Sequence, residues 1–213
     1  MILVSICHLI YLRIILALGD VAAAAHGVAI QVEALGYMPG GAFQISAATL
    51  AGQYLGARDL VRARRSVLMA CAVASAIMVA AGVLFYVAAT PLASFFLGGR
   101  SSEVVPLATR LLRIVAYAML PLAVTMVLVG ALRGAGDTRW PLVLNVLGII
   151  MVRVPLAVFL AHDAVAIPLV GYSMPGAGLG VVGAWYAAVV DIVARCMLMI
   201  ARFRHDAWQR IEV

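Results

Sequence analysis

The chain contains no lysine, and charged residues of every kind are scarce. Only 11% of its 213 residues are charged and 66% are hydrophobic, whereas an ordinary soluble domain has about 25% charged and 45–50% apolar residues. A water-soluble fold could not bury that much apolar surface. The absence of lysine also excludes a phosphate-binding glycine loop, which ends in lysine. The composition therefore predicts a membrane protein.

All fifteen basic residues are arginine, and the formal net charge is +6. Such a charge would indicate nucleic-acid binding if the arginines formed one stripe. They lie instead between apolar runs, where loop charges set the orientation of membrane helices. No nucleic-acid partner is expected.

Cysteine is also rare, and signatures of enzymes are missing. Cys7, Cys71 and Cys196 lie singly inside apolar runs, without the paired spacing of a metal or redox motif. The four histidines are scattered, and the chain has no nucleophile elbow. We therefore expect no catalytic residue, no metal site and no enzymatic activity.

Continuous apolar runs dominate the chain and predict helices, because a lipid-exposed backbone must satisfy its own hydrogen bonds. Since a crossing needs about 20 residues, we predict spans at about residues 2–19, 22–56, 66–90, 104–132, 141–161 and 178–203. Pro39 lies in the long second run and is expected to bend one helix. The predicted fold is an all-α, polytopic bundle of six transmembrane helices, a single lobe of residues 1–203 with a cytoplasmic tail of residues 204–213.

The placement of arginine predicts the orientation in the membrane. The second and fourth connections and the C-terminal tail hold most of the loop arginines: Arg58, Arg62, Arg64, Arg65, Arg133, Arg139, Arg202, Arg204 and Arg210. The first and fifth connections offer acidic residues such as Asp20 and Asp163. Both termini are therefore predicted to be cytoplasmic, in a plasma (inner) membrane protein. Arg110 and Arg113 do not fit this pattern and are expected to reach the outer headgroups.

Some charged side chains fall inside predicted spans, where each costs about 2.5–3.5 kcal/mol on insertion scales; among them, Arg13 in the first span has no local partner and its role is open. Glu33 is a candidate for ion coupling, because a carboxylate in an apolar cavity binds a proton more readily than one in water; the alternative is a structural carboxyl bonded to a neighbouring helix. Asp191 and Arg195 are four residues apart and can neutralise each other. Arg153 precedes Pro155 by two residues and can meet an anionic group or the carbonyls that the proline leaves free.

Two segments resemble a known family. The run from Ala22 to Arg65 reads AAAAHGVAIQVEALGYMPGGAFQISAATLAGQYLGARDLVRARR. It resembles the eighth helix of the multidrug and toxic compound extrusion (MATE) family, with its Ala-Ala-His start, Met-Pro-Gly centre and Gly-Gln-x-Leu-Gly-Ala end. GALRGAGDTRWP, from Gly130 to Pro141, is similar to the loop after that family's tenth helix, and Trp208 and Ile211 resemble the end of many members.

The resemblance implies the C-terminal six-helix lobe of a twelve-helix transporter, with the N-terminal lobe outside this chain. It further implies export of small amphipathic or cationic drugs by antiport with protons or sodium, without another cofactor. The implied partners are membrane lipid, the drugs, and the N-terminal lobe or a second copy of the chain.

The resemblance also bears on the coupling ion. The sodium-coupled branch uses a glutamate in the first helix of this lobe and an aspartate in the fourth. Here no acid lies between Met1 and Gly19, and Leu122 stands at the aspartate position. Protons are therefore the expected ion, with Glu33 as the candidate in this lobe.

The loop motif of Gly134, Asp137, Thr138 and Arg139 matches the family and is expected to act as a hinge or helix cap at the cytoplasmic surface. Two other hypotheses remain open at this point. A flippase for lipids or lipid-linked oligosaccharides would be favoured if Arg110, Arg113 and Arg153 line one cavity. A non-transporting truncated remnant is the second.

Overall fold

A computed structural model describes residues 2–98, 103–167, 172–205 and 208. These residues form eight α-helices, one π-helical segment and one short hairpin. The helices are α1 (Ile2–Leu16), α2 (Asp20–Gly56), α3 (Leu60–Val87), α4 (Ala89–Phe96), α5 (Val104–Gly134), α6 (Arg139–Leu147), α7 (Val154–Ala161) and α8 (Gly180–Arg204). The predicted all-α class is confirmed. Of the predicted tail, Arg210, Ile211 and most other residues lie outside the described ranges.

Helices occupy all six predicted positions. Four stretches are long and apolar enough to cross a membrane: Leu60–Val87, Val104–Gly134, Arg139–Ala161 and Gly180–Arg204. Within the described residues, α1 and α2 do not meet the same criterion. Helix α1 has only 15 residues, and polar side chains lower the mean hydropathy of α2. Pro39 lies inside α2, which continues through it as one helix.

Two helix boundaries differ from the prediction. Helix α3 starts at Leu60 because Asp59 caps it: the Arg62 amide donates to Asp59 Oδ1 at 2.9 Å. Helix α3 ends at Val87, and α4 follows with Pro91 in its first turn, where a missing amide hydrogen removes no helical bond. The predicted third span is thus one long helix followed by a short one.

The fifth connection contains a hairpin that was not predicted. Strands β1 (Ala164–Ile167) and β2 (Tyr172–Pro175) pair antiparallel, with Ala164 opposite Pro175. The chain after β2 then caps α7, since the amides of Ala177 and Leu179 donate to carbonyls of Phe159 and Leu160 at 2.9 Å. These bonds satisfy terminal carbonyls that a helix leaves without partners. The described residues of this connection are therefore held by hydrogen bonds to each other and to α7.

The chain divides into two compact units. The first consists of Met1–Glu33, Leu84–Val115 and Val146–Asp191, and the second of Ala34–Val83, Ala116–Asn145 and Ile192–Val213. In the first unit, α1 packs on α7 and the π-helical segment, and Ile15, Leu111 and Ile149 are buried. In the second unit, Val67, Met78 and Leu132 are buried. The single lobe of residues 1–203 stays a prediction.

Candidate functional site

An ion pair lies in the interior of the first unit. Arg153 Nε donates to Asp191 Oδ2 at 2.9 Å. The Asp191 side chain is fully buried, and that of Arg153 is only 11% exposed. A charge-assisted bond of this geometry is among the stronger hydrogen bonds in proteins. The two residues are 38 positions apart in the chain, so the pair joins two transmembrane helices.

The local fold explains the position of Arg153. Residues Gly148–Arg153 form a π-helical segment between α6 and α7, and Arg153 is its last residue. Pro155 follows in the first turn of α7; it has no amide hydrogen, and its ring crowds the carbonyl four residues earlier. A helix interrupted in this way accommodates the mismatch by widening, and such widened turns are frequent at functional sites.

Tyr11 of α1 also contacts the Arg153 guanidinium, through the face of its ring. The Arg153 Cζ atom lies 5.4 Å from the centre of the Tyr11 ring, which is a cation–π distance. The Tyr11 hydroxyl donates to the Ala184 carbonyl of α8 at 2.8 Å, and the residue is 6% exposed. This bond fixes the ring, so that its face is available to the cation.

Glu33 of α2 is the second carboxylate near this guanidinium. It lies within Coulombic range of both Arg153 and Tyr11 and is half-buried. Of the charged residues that the sequence singled out, Arg153 and Asp191 are thus in direct contact, and Glu33 interacts with Arg153 at Coulombic range. We call Tyr11, Glu33, Arg153 and Asp191 the Arg153 cluster.

An aromatic and histidine group borders the Arg153 cluster. Trp185 Nε1 donates to His26 Nδ1 at 3.1 Å, and both side chains are buried. Because His26 accepts this bond at Nδ1, a neutral ring carries its proton on Nε2. The His26 ring contacts Tyr11 edge-on, with ring centres 6.4 Å apart. Trp185 and His26 thus support the Tyr11 ring.

Arg195 was predicted to neutralise Asp191 along α8. In the structure Arg195 Nη1 donates to Asn145 Oδ1 of α6, within the second unit. Asp191 has Arg153 as a partner from another helix. The pair of Asp191 with Arg195 stays a prediction.

The loop motif between α5 and α6 forms a second charged site, in the second unit. Asp137 Oδ2 accepts from Arg202 Nη2 at 2.7 Å and from Arg202 Nε at 2.9 Å. Asp137 Oδ1 accepts the Trp140 amide at the start of α6 at 3.4 Å, and Arg202 lies 5.3 Å from the Trp140 ring centre. We call Asp137, Trp140 and Arg202 the Asp137 turn. It caps α6 and attaches the loop to the end of α8.

The remaining motif residues have different surroundings. Gly134 is half-buried, whereas Thr138 and Arg139 are exposed. A Cβ on Gly134 would collide with the Ala48 carbonyl oxygen of α2, so glycine permits this close helix contact. Gly136 has a φ of +84°, which glycine adopts without strain. Gly134 is therefore a packing residue of α5.

The end of α8 carries one further contact. Trp208 is fully buried; its Nε1 donates to the Phe203 carbonyl at 2.8 Å, and the two rings stack 4.9 Å apart. The tail residue that the sequence matched thus folds back on α8.

The three arginines of the flippase hypothesis have unlike surroundings. Arg110 and Arg113 are exposed on α5, and Arg113 lies over the Tyr86 ring at 5.8 Å. Arg153 is mostly buried and paired with Asp191. A cationic cavity needs arginines whose charge is available, and Arg153 does not meet that condition.

Sequence reasoning missed Tyr11, Trp185 and Asn145 as members of these sites. Each is a polar or amphipathic side chain within an apolar helix, and that position was the only available signal. Aromatic residues are common in such helices, so the signal does not separate a cluster member from a packing residue.

Comparison with known families gives one match that covers most of the chain. The MatE family model matches residues 1–159. A probable multidrug resistance protein NorM from Thermotoga maritima is 26% identical over 205 residues, which cover 96% of this chain and 41% of that protein. A protein of the same name from Bradyrhizobium diazoefficiens is 30% identical over 185 residues, which cover 86% of this chain and 37% of that protein. The chain thus spans less than half the length of these relatives.

Solved structures share the fold. An outward-facing multidrug resistance MATE family transporter of the MOP superfamily matches with a TM-score of 0.81 and 19% identity, covering 99% of this chain and 44% of that one. A MOP superfamily transporter from Pyrococcus furiosus matches with a TM-score of 0.75 and 22% identity, covering 99% of this chain and 44% of that one. That transporter is described by the reverse polarity of its binding pocket.

Proposed function

The chain belongs to the MatE family, and we propose that it is one six-helix lobe of a secondary transporter that exports drugs in exchange for protons. It is an integral membrane protein, and the names of its relatives indicate multidrug resistance. Export of amphipathic or cationic drugs is the corresponding activity here. Transport of this kind uses ion gradients and requires no catalytic residue.

The observation that carries the proposal is the Arg153 cluster. A buried ion pair with a second carboxylate nearby, inside helices that cross a membrane, is costly and typical of ion pathways in transporters. Glu33 is the group in this cluster that we propose to take up and release the proton. Asp191 is fully buried and held by Arg153 at 2.9 Å, whereas Glu33 is half-buried, so the charge of Glu33 is the easier of the two to neutralise.

Protons are proposed in preference to sodium because sodium ligands are missing at the expected positions. Helix α1 has no acidic residue, and Leu122 of α5 is a buried apolar side chain, 5% exposed. Sodium requires several oxygen ligands, which leucine cannot supply. Proton exchange at one carboxylate needs no such ligand set.

The proposed setting is the plasma (inner) membrane, with both termini in the cytoplasm. The Asp137 turn and the arginines around it support this orientation, since arginine-rich loops favour the cytoplasmic side. The proposed partner is an N-terminal lobe or, alternatively, a second copy of the chain. The chain covers 41% and 37% of the two NorM relatives, which is close to the share that one lobe of a two-lobe transporter would occupy.

Drug accumulation in cells that lack their own exporters tests the proposal. The chain is expressed alone and together with the polypeptide encoded immediately upstream, and ethidium fluorescence is followed with and without a protonophore. We expect ethidium accumulation to fall with both polypeptides present and the protonophore to abolish the difference. A fall with the chain alone supports the second-copy form. Unchanged accumulation under all conditions would contradict drug export.

A further inference from the structure

One narrow face of α5 is exposed and carries two arginines. Within the first unit, the exposed residues of α5 are Pro106, Arg110 and Arg113. Their spacing of four and then three residues puts them on one side of a helix. Leu111 and Leu112, on other sides of α5, are fully buried. The two guanidinium groups therefore project from the same side of the helix.

No carboxylate within the described part of the chain neutralises these two charges. Neither Arg110 nor Arg113 forms an ion pair with a described residue. Glu103 is an exposed acid before α5, but it precedes Arg110 by a distance of about 10 Å along a helix. Like charges three residues apart on a helix repel each other. An anion from outside the chain would relieve this repulsion.

Tyr86 supports the position of Arg113. The Arg113 Cζ atom lies 5.8 Å from the centre of the Tyr86 ring, which is a cation–π distance. Tyr86 is next to the last residue of α3, which ends at Val87. Tyrosine at the end of a membrane helix typically lies at the level of the lipid headgroups. Arg113 thus lies beside the end of a neighbouring membrane-spanning helix.

The length of α5 also places the arginines near one membrane surface. The helix has 31 residues, which span about 46 Å, whereas the hydrocarbon core is about 30 Å thick. A centred span therefore extends beyond the core by about 8 Å at each end, and Arg110 lies about 9 Å from the start of α5 at Val104. Because side chains tilt toward the N-terminus of their helix, both arginines point back toward this surface.

We infer that Arg110 and Arg113 bind the phosphate of an anionic phospholipid in the surrounding membrane. A guanidinium can donate two parallel hydrogen bonds to phosphate oxygens, and two guanidinium groups on one face can share a phosphodiester. A zwitterionic headgroup fits less well, because its own cation would lie beside the arginines. The inference goes beyond drug export and does not depend on it, since the lipid stays bound and is not transported.

Lipid binding to the full chain tests the inference. The chain is purified in detergent and receives phosphatidylglycerol or phosphatidylcholine with the same acyl chains at equal mole fraction. Native mass spectrometry measures the bound lipid, and thermal unfolding measures the Tm. We expect phosphatidylglycerol to bind more tightly and to give the higher Tm, because a ligand of the folded chain stabilises it. In the double variant Arg110→Gln with Arg113→Gln, its affinity should fall at least about tenfold, and the two lipids should give the same Tm.

Further variants control for charge and for the aromatic contact. Arg58→Gln with Arg65→Gln removes the same charge from two exposed arginines around the start of α3 and should keep the preference for phosphatidylglycerol. Tyr86→Leu should weaken its affinity about two- to fivefold, because the cation–π contact is lost, whereas Tyr86→Phe keeps a ring and should not. The single variants Arg110→Gln and Arg113→Gln serve if the double variant does not fold.

Four results would overturn the inference. Two of them are equal binding of both lipids to the original chain and an undiminished preference in the double variant of Arg110 and Arg113. A third is the same rise in Tm with inorganic phosphate alone, which would mean that the face binds a free anion. The last is loss of the bound phosphatidylglycerol when the chain is purified together with the polypeptide encoded upstream, which would mean that a partner lobe covers this face.

Discussion

At the scale of single residues, Asp137 and Asp59 perform the same local task in different surroundings. Both accept a backbone amide at a helix start and both pair with an arginine. The Asp137 side chain is 4% exposed, and its Arg202 partner comes from a distant helix. The Asp59 side chain is 34% exposed, and its Arg62 partner is 73% exposed and three residues away. Burial, not residue type, separates the two.

We predict different stabilities for the two alanine variants. Asp137→Ala loses the cap and leaves Arg202 without its carboxylate, which should lower the free energy of unfolding by about 2–4 kcal/mol. Asp59→Ala loses a cap and a solvent-screened pair, together about 1 kcal/mol. Thermal unfolding of the purified chain in detergent measures both. Equal losses would contradict a supporting role for the Asp137 turn.

Charge in an apolar run is a strong signal at this scale, and it singled out Glu33, Arg153 and Asp191 from the sequence alone. The contact between Asp191 and Arg153 could not be predicted, because it joins two helices whose relative positions the sequence does not give. It depends on the widened turn before Pro155, which follows from tertiary packing. Tyr11 could not be predicted for the same reason.

At the scale of elements, the contact between α2 and α5 depends on glycines of α5, which have no side chain. A Cβ on Gly134 would collide with the Ala48 carbonyl oxygen, and one on Gly130 with that of Gln44. Gly41, in the same unit, has no atom within 4 Å of such a Cβ. Two helices that approach this closely gain packing that larger residues would prevent.

We predict that Gly134→Ala destabilises the chain and that Gly41→Ala does not. The first variant pushes α5 away from α2 and should cost about 1–3 kcal/mol. The second adds a methyl group in open space and should be neutral or gain up to about 1 kcal/mol from helix propensity. Thermal unfolding in detergent compares them. A Gly134→Ala variant as stable as Gly41→Ala would show that the helices are not in this contact.

The helices themselves could be predicted because each apolar run is long and bounded by arginine, glycine or proline. The π-helical segment, α4 and the hairpin could not. Pro155 signals an interruption but not whether the helix bends or widens. The chain after the hairpin is held by hydrogen bonds from Ala177 and Leu179 to α7. These bonds join residues that are distant in the sequence, and no periodic pattern of residues indicates them.

At the scale of the whole molecule, the orientation in the membrane is the first property to test. Asp20 and Thr138 are both exposed and belong to connections that the arginine pattern assigns to opposite sides. In a chain whose three cysteines are replaced by alanine, we expect Asp20→Cys to react with an impermeant maleimide in intact cells. Thr138→Cys should react only after the cells are opened. The reverse pattern would contradict cytoplasmic termini.

The central claim, proton-coupled drug export involving Glu33, is tested most directly in proteoliposomes that contain this chain and the polypeptide encoded upstream. Ethidium transport is driven by an imposed pH gradient or, separately, by a sodium gradient. We predict transport with the pH gradient only, abolished in Glu33→Gln and retained in Glu103→Gln, which alters an exposed acid before α5. Transport driven by sodium alone, or a Glu33→Gln variant that responds fully to the pH gradient, would contradict the account.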